Sequence, residues 1–494
     1  MTDTKTGKTL TLKKRPNATP PEASSIPRKR SGARARAASL IARDQHKHPE
    51  QPAPAHSQAQ AQDRPPRAAQ HRHAAGKNES PMRKHIENGR NEKANKQRKQ
   101  PQGGSFQSAH AELFPVFTPC PQGLEEALCA ELIALGFEDA RAGRAGCHLS
   151  THWTGVLRIN LYSRLATRVL VQVAHGQVHT EDDILDLATH TPWERWFGPE
   201  HTLRVDTSAV RSPMQSLQYC NLRAKDGICD RLRDREGARP SIDTVRPDAR
   251  VHLFLDETTA TLYLDTSGES LFKRGWRLDK GQAPLRENLA AGLLALSGWD
   301  PSQALMDPFC GSGTLLIEGA WIALGVPAGV WRPFGFERLR NHDTRLWRDL
   351  KDDARARIAT QIECPIVGYD LDPAAIAAAR SNLERAWLTP DSIRFETGDA
   401  RAVMPPADSG WLVTNPPYGD RLSDVDPDLW PDWARNLKQN YAGWHVNIIS
   451  SDLDLPGKMR LKPKRRTPLH NGALDCRLFS FEMVAASYRD TRSS

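Results

Sequence analysis

Apolar and polar positions follow two different patterns in the folded part of the chain. From Leu113 to about residue 270, short alternating runs are interspersed with amphipathic helices, such as the one with Leu124, Leu128, Leu132 and Leu135 on one face. The stretch "RVHLFLDETTATLYLD" alternates with period two and predicts a β-hairpin. Because these strands look few and interrupted, this part predicts a small α+β region and not half of a Rossmann fold.

After about residue 283 the pattern becomes regular. Strand-like stretches alternate with stretches that predict helices of 12 or more residues. This alternation predicts a doubly wound, parallel sheet with right-handed crossovers. A Trp-rich insertion at residues 321–360 interrupts the pattern. The predicted strands are "ALMDPF", "PIVGYD", "IRFETGDA", "GWLVTNPPYGD" and "HVNIISSD".

The charge distribution separates the N-terminal fifth from the rest. The whole chain carries a net +9 and residues 1–100 carry +15, which leaves −6 for the remainder. No Phe, Trp or Tyr occurs before Phe106, and Pro, Ala, Gln, Arg and Lys dominate, so we predict that residues 1–105 are a disordered basic extension. Such an extension suits non-specific contact with nucleic-acid phosphates, although an extension without a defined role remains an alternative.

Cysteine usage and hydropathy narrow the class of protein further. The eight cysteines are scattered, without a CxxC pair, which argues against a zinc ribbon or a disulfide framework. There is no apolar signal core and no run of roughly 20 apolar residues. We therefore expect a soluble cytoplasmic protein with no metal and no membrane partner.

The first candidate for chemistry is the stretch "LMDPFCGSGTLLIEGA", a strand, a glycine turn and a helix. Gly311 and Gly313 would let the backbone approach a ligand closely, and Asp307 could accept hydrogen bonds from a cationic group. The spacing is not GxGxxG, and the turn holds no Arg or Lys to neutralise a phosphate. S-adenosylmethionine, which carries an ammonium and a sulfonium, suits this turn better than a dinucleotide does.

Two further acids follow predicted strands. Asp370, in "IVGYDLDP", could accept hydrogen bonds from both ribose hydroxyls, and its distance from Gly311 would be explained by the insertion. Asp372 suits the N-cap of the next helix, an alternative that also exists for Asp370. Asp399, in "FETGDA", could accept a hydrogen bond from the adenine amine, although a "GD" pair is often only a turn.

The stretch "LVTNPPYGDRL" ends a strand at an asparagine and two prolines. Alone, the prolines indicate no more than a turn. At the carboxyl end of a parallel strand, however, the Asn415 oxygen and the Pro416 carbonyl could hold the two hydrogens of an exocyclic base amine, while Tyr418 stacks on the base. We assign catalysis to Asn415, Pro416, Pro417 and Tyr418. We assign the cofactor to Asp307, Phe309, Gly311, Gly313, Thr314, Asp370, Asp399 and Asn415.

Taken together, these motifs resemble those of a known family. "DPFCGSGT", "GYDLD" and "NPPYGDRL" are similar to class I exocyclic-amine methyltransferases. "KRGWR", "APLRENLAAGLLALSGW", "DPFCGSGTLLIEGA" and "NGALDC" resemble the bacterial guanine-N2 methyltransferases of 23S ribosomal RNA, most closely the RlmL-type half of the fused enzyme RlmKL. The resemblance covers about residues 112–480.

The resemblance implies a Rossmann-like class I methyltransferase sheet after an α+β ferredoxin-like and THUMP region. The predicted domains are a disordered extension (1–105), a ferredoxin-like segment (106–158), a THUMP RNA-binding domain (159–270) and a methyltransferase domain (271–494). It also implies S-adenosylmethionine as cofactor, guanine N2 as acceptor, and 23S rRNA or a large-subunit precursor as partner. The chain stops where the fused enzyme continues, so one activity is expected. The basic extension is not part of the family pattern.

Several alternatives stay open. A THUMP-type tRNA guanine-N2 methyltransferase would carry the same catalytic strings, and an RNA-binding ribosome-assembly factor could keep the fold without activity. A DNA amine methyltransferase would also use "NPPY", but residues 113–270 offer no obvious region for recognising duplex DNA. An NAD-dependent dehydrogenase fits poorly because the glycine spacing is wrong. The sequence does not determine the target nucleotide or the oligomeric state.

Overall fold

The computed structural model describes residues 112–278, 285–417, 426 and 428–484. The predictions for the basic extension and for Tyr418 therefore lie outside the described residues. The strands are β1 (Phe114–Pro119), β2 (Arg141–Gly143), β3 (Gly146–Thr151), β4 (Leu170–Gln177), β5 (Thr202–Ala209), β6 (Ser241–Ile242), β7 (Ala249–Leu255), β8 (Thr259–Asp265), β9 (Ala304–Asp307), β10 (Ile366–Asp370), β11 (Arg394–Thr397), β12 (Gly410–Thr414), β13 (Trp444–Ser450), β14 (Arg465–Asn471) and β15 (Leu474–Glu482). The helices are α1 (Glu125–Ala134), α2 (Trp153–Tyr162), α3 (Glu181–His190), α4 (Leu217–Glu236), α5 (Glu287–Ser297), α6 (Thr314–Ala323), α7 (Thr344–Ala356), α8 (Pro373–Arg385), α9 (Leu429–Asn440) and α10 (Leu455–Lys458).

The first eight strands form one sheet, called here the N-terminal sheet. Its order is β2-β3-β1-β4-β8-β7-β5-β6, and its pairs are antiparallel except for those of β5 with β6 and β7. The α+β class and the β7–β8 hairpin are as the sequence predicts. The expectation of few strands is wrong, because the short strands β2, β3 and β6 lack a long alternating pattern that would reveal them.

Local sequence explains the elements of this half. Leu124, Leu128 and Leu132 are fully buried on one side of α1, as their spacing predicts. Residues of β7 alternate strictly between buried and half-buried, which is typical of a strand with one face on the core. Helix α4 begins at Ser216, whose hydroxyl accepts the Tyr219 amide, and ends at Gly237 in the left-handed conformation.

The second sheet, the C-terminal sheet, has the order β11-β10-β9-β12-β13-β15-β14. Strands β9 to β13 are mutually parallel, and β9 is buried at all four residues, as expected for a strand covered on both faces. The prediction of a parallel, doubly wound sheet is confirmed for these five strands and is wrong only at one edge. There β14 and β15 form an antiparallel hairpin, and β15 pairs antiparallel with β13; only the four-residue helix α10 lies between β13 and β14.

The Trp-rich insertion joins the two sheets. Between α6 and β10 the chain forms a 3-10 turn and α7, and the rings of Phe334, Phe336 and Trp347 pack together at centroid distances of 4.9–5.5 Å. The Phe336 amide donates to the Thr266 carbonyl, 2.9 Å away, just after β8. Arg332 also donates to carbonyls of the segment after β8, including that of Ser270 at 2.7 Å. The insertion thus fixes the N-terminal half against the C-terminal sheet.

Two observations concern the class of protein. All eight cysteines lie in described residues, and the structure joins no two of them in a disulfide, as the scattered spacing predicts. Among the described helices, none has the length and apolar character required to cross a bilayer.

Candidate active site

The predicted site residues meet at one edge of the C-terminal sheet. Strands β10 and β11 extend the sheet from β9 in one direction, while β12 pairs with β9 on the other side. The strand order therefore reverses at β9, and parallel sheets hold ligands beyond the carboxyl ends of their strands at such a point. Asp307, Asp370 and Asn415 all lie at these carboxyl ends.

The glycine turn after β9 is fixed by its own hydrogen bonds. The Phe309 amide donates to Asp307 Oδ1 at 3.0 Å, and the Cys310 amide donates to the Tyr369 carbonyl at 2.9 Å. The turn leads directly into α6, whose first residue is Thr314, so the amides at that helix N-terminus face the same edge of the sheet.

The two glycines of the turn have different surroundings, although both have positive φ, +53° at Gly311 and +78° at Gly313. A Cβ on Gly313 would lie 2.8 Å from Phe395 Cζ, so this glycine is required by packing. A Cβ on Gly311 would meet nothing within 4 Å. Gly311 therefore borders open space, where a ligand could approach the backbone.

Asp370 lies next to Gly311 despite their separation in sequence. Its Oδ2 accepts the Gly311 amide at 2.9 Å across 59 residues of chain, and its Oδ1 accepts the Asp372 amide at 3.0 Å. A carboxylate offers about four acceptor positions, so two remain for a ligand. Asp372 caps α8 by accepting the Ala374 amide, which confirms that prediction.

Asp307 is the most perturbed acid of the site. It is only 2% exposed, and its Oδ1 accepts the Thr414 hydroxyl at 2.6 Å. Burial raises the pKa of the Asp307 carboxyl to about 7, against the lowering effect of the bonds from Thr414 and the Phe309 amide. A cation bound nearby would restore its ionised form.

Asp399 follows β11 and already has a partner. Nε and Nη2 of Arg401 both donate hydrogen bonds to the Asp399 carboxylate, and Nη2 lies 2.7 Å from Oδ2. These bonds lower the pKa of Asp399. Arg401 also donates to Asp426 at 2.7 Å. The predicted role of Asp399 towards adenine stays a prediction, and any ligand amine there would share the carboxylate with Arg401.

The segment after β12 carries an unsatisfied acceptor. The Asn415 side-chain oxygen is buried and accepts no hydrogen bond from the described residues. Pro416 is buried beside it and Pro417 is half-buried. Since a buried amide oxygen without a donor costs free energy, its persistence at this edge indicates a place for a ligand donor.

Sequence reasoning missed three residues of this region. Thr414 ends β12 as an apparent strand residue, and only the neighbouring strand reveals its bond to Asp307. Trp433 of α9 packs its ring edge against Phe309 at a centroid distance of 5.0 Å. Arg401 could have been suspected, because an arginine two residues after an acid can pair with it locally.

The described site is thus rich in acceptors. Asp370 contacts the Gly311 amide, and Asp307 and the amide oxygen of Asn415 lie at the carboxyl ends of the neighbouring strands β9 and β12. Such a set suits a ligand with several hydrogen-bond donors, such as an ammonium group, vicinal hydroxyls and an amine.

Three family models match successive parts of the chain. The RlmL ferredoxin-like domain matches residues 115–170, the THUMP domain residues 178–265, and the RMKL-like methyltransferase domain residues 274–480. A curated relative from Methylococcus capsulatus, ribosomal RNA large subunit methyltransferase K/L, is 39% identical over 386 residues, which are 76% of this chain and 52% of the relative. The chain spans about half the length of the curated relatives it matches.

Solved structures agree with this fold over most of the described residues. A protein from Clostridium difficile 630 described as a methylase has a TM-score of 0.70 and 29% identity, covering 75% of this chain and 98% of its own. SMU.472, described as a methyltransferase and complexed with SAH, has a TM-score of 0.69 and 25% identity, covering 75% of this chain and 98% of its own. The C-terminal sheet is therefore a class I methyltransferase fold, preceded by ferredoxin-like and THUMP regions.

Proposed function

We propose that the chain is an RlmL-type, THUMP-containing methyltransferase that methylates the exocyclic N2 of a guanine in large-subunit (23S) ribosomal RNA, a proposal supported by the three family models and the curated relatives. S-adenosylmethionine would be the methyl donor. The whole of this activity, including the RNA class, is a proposal for this chain.

The observation that carries the proposal is the buried oxygen of Asn415 at the carboxyl end of β12, which accepts no hydrogen bond from any residue that the structure describes. The lone pair of a guanine amine is delocalised into the ring, so the amine is a poor nucleophile. Acceptors on both amine hydrogens, the Asn415 oxygen and the Pro416 carbonyl, would hold the nitrogen pyramidal and direct its lone pair to the methyl group. Tyr418, which follows in sequence, would stack on the extruded base.

The described residues fit S-adenosylmethionine in three respects. Gly311 borders open space, Asp370 keeps free acceptor positions for ribose hydroxyls, and buried Asp307 gains from a cationic neighbour. Of the other predicted cofactor residues, Phe309, Gly313 and Thr314 belong to the turn and the start of α6 beside that space, while Asp399 and Asn415 follow β11 and β12. When bound, the cofactor would supply an electrophilic methyl group on sulfur.

The proposed reaction needs few groups from the protein. The bond from guanine N2 to the methyl carbon would form as the sulfur–methyl bond breaks, and the methylated N2 would then release one of its two protons to solvent. Asn415 and Pro416 would accept both N2 hydrogen bonds until that proton leaves, and one of the two bonds afterwards, so their contribution is orientation and not proton transfer. The strand ends exclude water from one side of the reacting atoms, because Pro416 and Thr414 are buried.

Ribosomal RNA is the favoured substrate class because the curated relatives are named for the large ribosomal subunit. A THUMP match at residues 178–265 supports an RNA substrate in general. The tRNA methyltransferase alternative shares the same chemistry and differs only in the RNA. The assembly-factor alternative predicts no turnover at all.

The proposal is tested by methyl transfer from radiolabelled S-adenosylmethionine to unmodified 23S rRNA and to bulk tRNA in parallel. After digestion to nucleosides, label is expected as N2-methylguanosine in the rRNA alone. Asn415→Ala should abolish turnover while leaving the cofactor Kd within about threefold, because its oxygen contacts the acceptor amine. Asn341→Ala is the matched control, since its side-chain oxygen is also buried without a partner among described residues but lies in the insertion.

Other outcomes would each change the assignment in a defined way. Label in tRNA alone would move the substrate to the tRNA class and leave the chemistry standing. Equal loss of cofactor binding and turnover in Asn415→Ala would place Asn415 in the cofactor site. Tight cofactor binding without label in either RNA, or in purified precursor particles, would favour the assembly factor.

A further inference from the structure

A second candidate site lies on the N-terminal sheet, on the face away from its core. Alternate residues Phe114 and Val116 of β1 and Leu149 of β3 are buried in the core that includes the helices. The residues between them, including His148, therefore point to the opposite face. This face contains a cavity of about 310 Å³ lined by strands β1, β3, β4 and β8 and by the start of β2.

The strand register sets a row of side chains across this face. Arg141 pairs with His148, and His148 pairs with Phe117. On the next strands Gln172 pairs with Tyr263. Between β1 and β4 the register is offset by two residues, because Phe117 pairs with Leu170. Since paired residues, and residues two apart on a strand, point to the same face, these five side chains share one face across β2, β3, β1, β4 and β8.

The centre of the row is aromatic. The His148 imidazole stacks on the Phe117 ring with centroids 4.7 Å apart and planes at 28°, and Phe117 lies 6.1 Å from the Tyr263 ring. His148 is exposed, so one face of this stack remains accessible. Neighbouring groups shield part of the His148 ring from water, and this partial desolvation lowers the pKa of His148 and favours the neutral imidazole, which is suited to stacking on another planar ring.

Polar groups border the aromatic centre. Arg141 and Asp139 both line the cavity, and Asp139 Oδ2 accepts the Ser150 amide at 2.7 Å. Asp139 Oδ1 can accept a hydrogen bond from a donor such as a base amine. The Arg141 guanidinium can donate hydrogen bonds to a phosphate or to an acceptor on a base. The Gln172 amide offers both a donor and an acceptor.

These features select one kind of occupant. Flat aromatic surfaces beside a guanidinium and a carboxylate are how proteins bind single-stranded RNA, by stacking bases on rings and contacting their polar edges. A volume near 310 Å³ lies at the lower end of the range for ligand pockets, which suits one nucleotide and is too small for a folded protein segment.

We propose that this cavity binds one unpaired nucleotide of the RNA substrate, with the base on the His148–Phe117 stack and Arg141 on the phosphate. The inference rests on the proposed function for the RNA class. It adds a contact point on the ferredoxin-like domain, separate from the strand ends of the C-terminal sheet. Its consequence is that the enzyme prefers RNA with an unpaired stretch outside the target base.

The test measures binding of the full chain, without cofactor, to a fluorescent single-stranded RNA of about ten nucleotides and to its duplex. His148→Ala should weaken single-strand binding about fivefold or more, the effect of one lost stack, and leave duplex binding unchanged. Arg141→Gln should weaken single-strand binding and reduce the slope of log Kd against log salt by about one. The matched control is His445→Ala, since His445 stacks on Trp411 at 4.4 Å and 28° in the other sheet.

A second measurement locates the contact directly. An RNA carrying 4-thiouridine is irradiated with the wild-type chain, and crosslinked peptides are identified by mass spectrometry. Crosslinks within residues 114–151 or at Tyr263 are expected, and their loss in His148→Ala would support the pocket. Unchanged single-strand affinity in both pocket variants, or crosslinks confined to other segments, would overturn the inference.

The two proposals fail in different ways. If wild type methylates RNA but the pocket variants bind as wild type does, the pocket is wrong and the proposed function stands. If the pocket crosslinks to RNA but no RNA is methylated under any condition, the proposed function fails and the pocket stands.

Discussion

Replacement of Asp307 by asparagine provides a quantitative test of the site's electrostatics. In the described structure this carboxyl is 2% exposed and has the Thr414 hydroxyl and the Phe309 amide as donors. An asparagine oxygen can accept the same two bonds without carrying a charge. The variant should therefore keep the local geometry and remove only the cost of ionising a buried acid.

The size of the effect follows from the pKa. The pKa of Asp307 rises from its ordinary value of 3.8 to about 7 in the folded chain, so burial opposes ionisation by about 4 kcal/mol at high pH. Because the folded pKa lies above the unfolded one, the wild type has its full stability below pH 3.8 and loses this amount as the pH rises to about 7. Asp307→Asn avoids the loss and gains about 2 kcal/mol at pH 5 and about 4 kcal/mol at pH 8 relative to wild type.

The assay is urea unfolding of both proteins from pH 5 to pH 8.5, without cofactor, followed by tryptophan fluorescence. The difference between the two midpoints should widen up to about pH 7 and then stay constant. Cofactor binding should show the reverse preference, since a cationic ligand favours ionised Asp307 and the variant cannot provide that charge. A stability difference that is independent of pH, or one that favours wild type at pH 8, would refute this argument.

Three further substitutions and one deletion test separate parts of the structure. Gly311→Ala should lower the free energy of unfolding by about 1–2 kcal/mol because of its positive φ, and it should also weaken cofactor binding. Gly313→Ala should lower the free energy of unfolding by about 2–5 kcal/mol because its Cβ would meet Phe395. Urea unfolding and cofactor titration distinguish the two variants, and equal losses of stability would contradict the packing argument. Glu318→Ala should lower the free energy of unfolding by about 3–5 kcal/mol, because it leaves the buried Arg274 guanidinium without the carboxylate that lies 3.2 Å away. A loss below 1 kcal/mol in thermal or urea unfolding would show that water replaces that carboxylate. Deletion of residues 1–105 should reduce the slope of log K for RNA binding against log salt without removing activity, and an unchanged slope would mean that this extension does not contact phosphate.

The sequence by itself determined the local elements of the C-terminal half. Gly311 and Gly313 were predictable because a strand, a tight turn and a helix in immediate succession require residues that tolerate positive φ. Asp307 and Asp370 were predictable as strand-end acids because buried parallel strands are continuous apolar runs that stop at a polar residue. Asp372 was predictable as a cap because a short acid before Pro-Ala-Ala is a local signal.

Strand pairing and burial were decided only by the tertiary structure. Thr414 contacts Asp307 across 107 residues, and Gly311 contacts Asp370 across 59, because β9 pairs with both β10 and β12. Nothing in the spacing specifies those neighbours, since the entropy of closing a loop changes little with its length. The pKa of Asp307 depends on the same packing, because the surrounding elements exclude water from this carboxyl. The local sequence alone would suggest an exposed acid.

The N-terminal sheet shows the same division. Its hairpin β7–β8 was visible as alternating residues, while β3 became a strand only by pairing with β1, and the short strand β2 only by pairing with β3. The side chains from Arg141 to Tyr263 share one face because five strands, drawn from residues 114 to 265, pair side by side in one sheet. The local pattern of a strand predicts which of its faces is buried, but only the assembled sheet determines which side chains lie together on the other face.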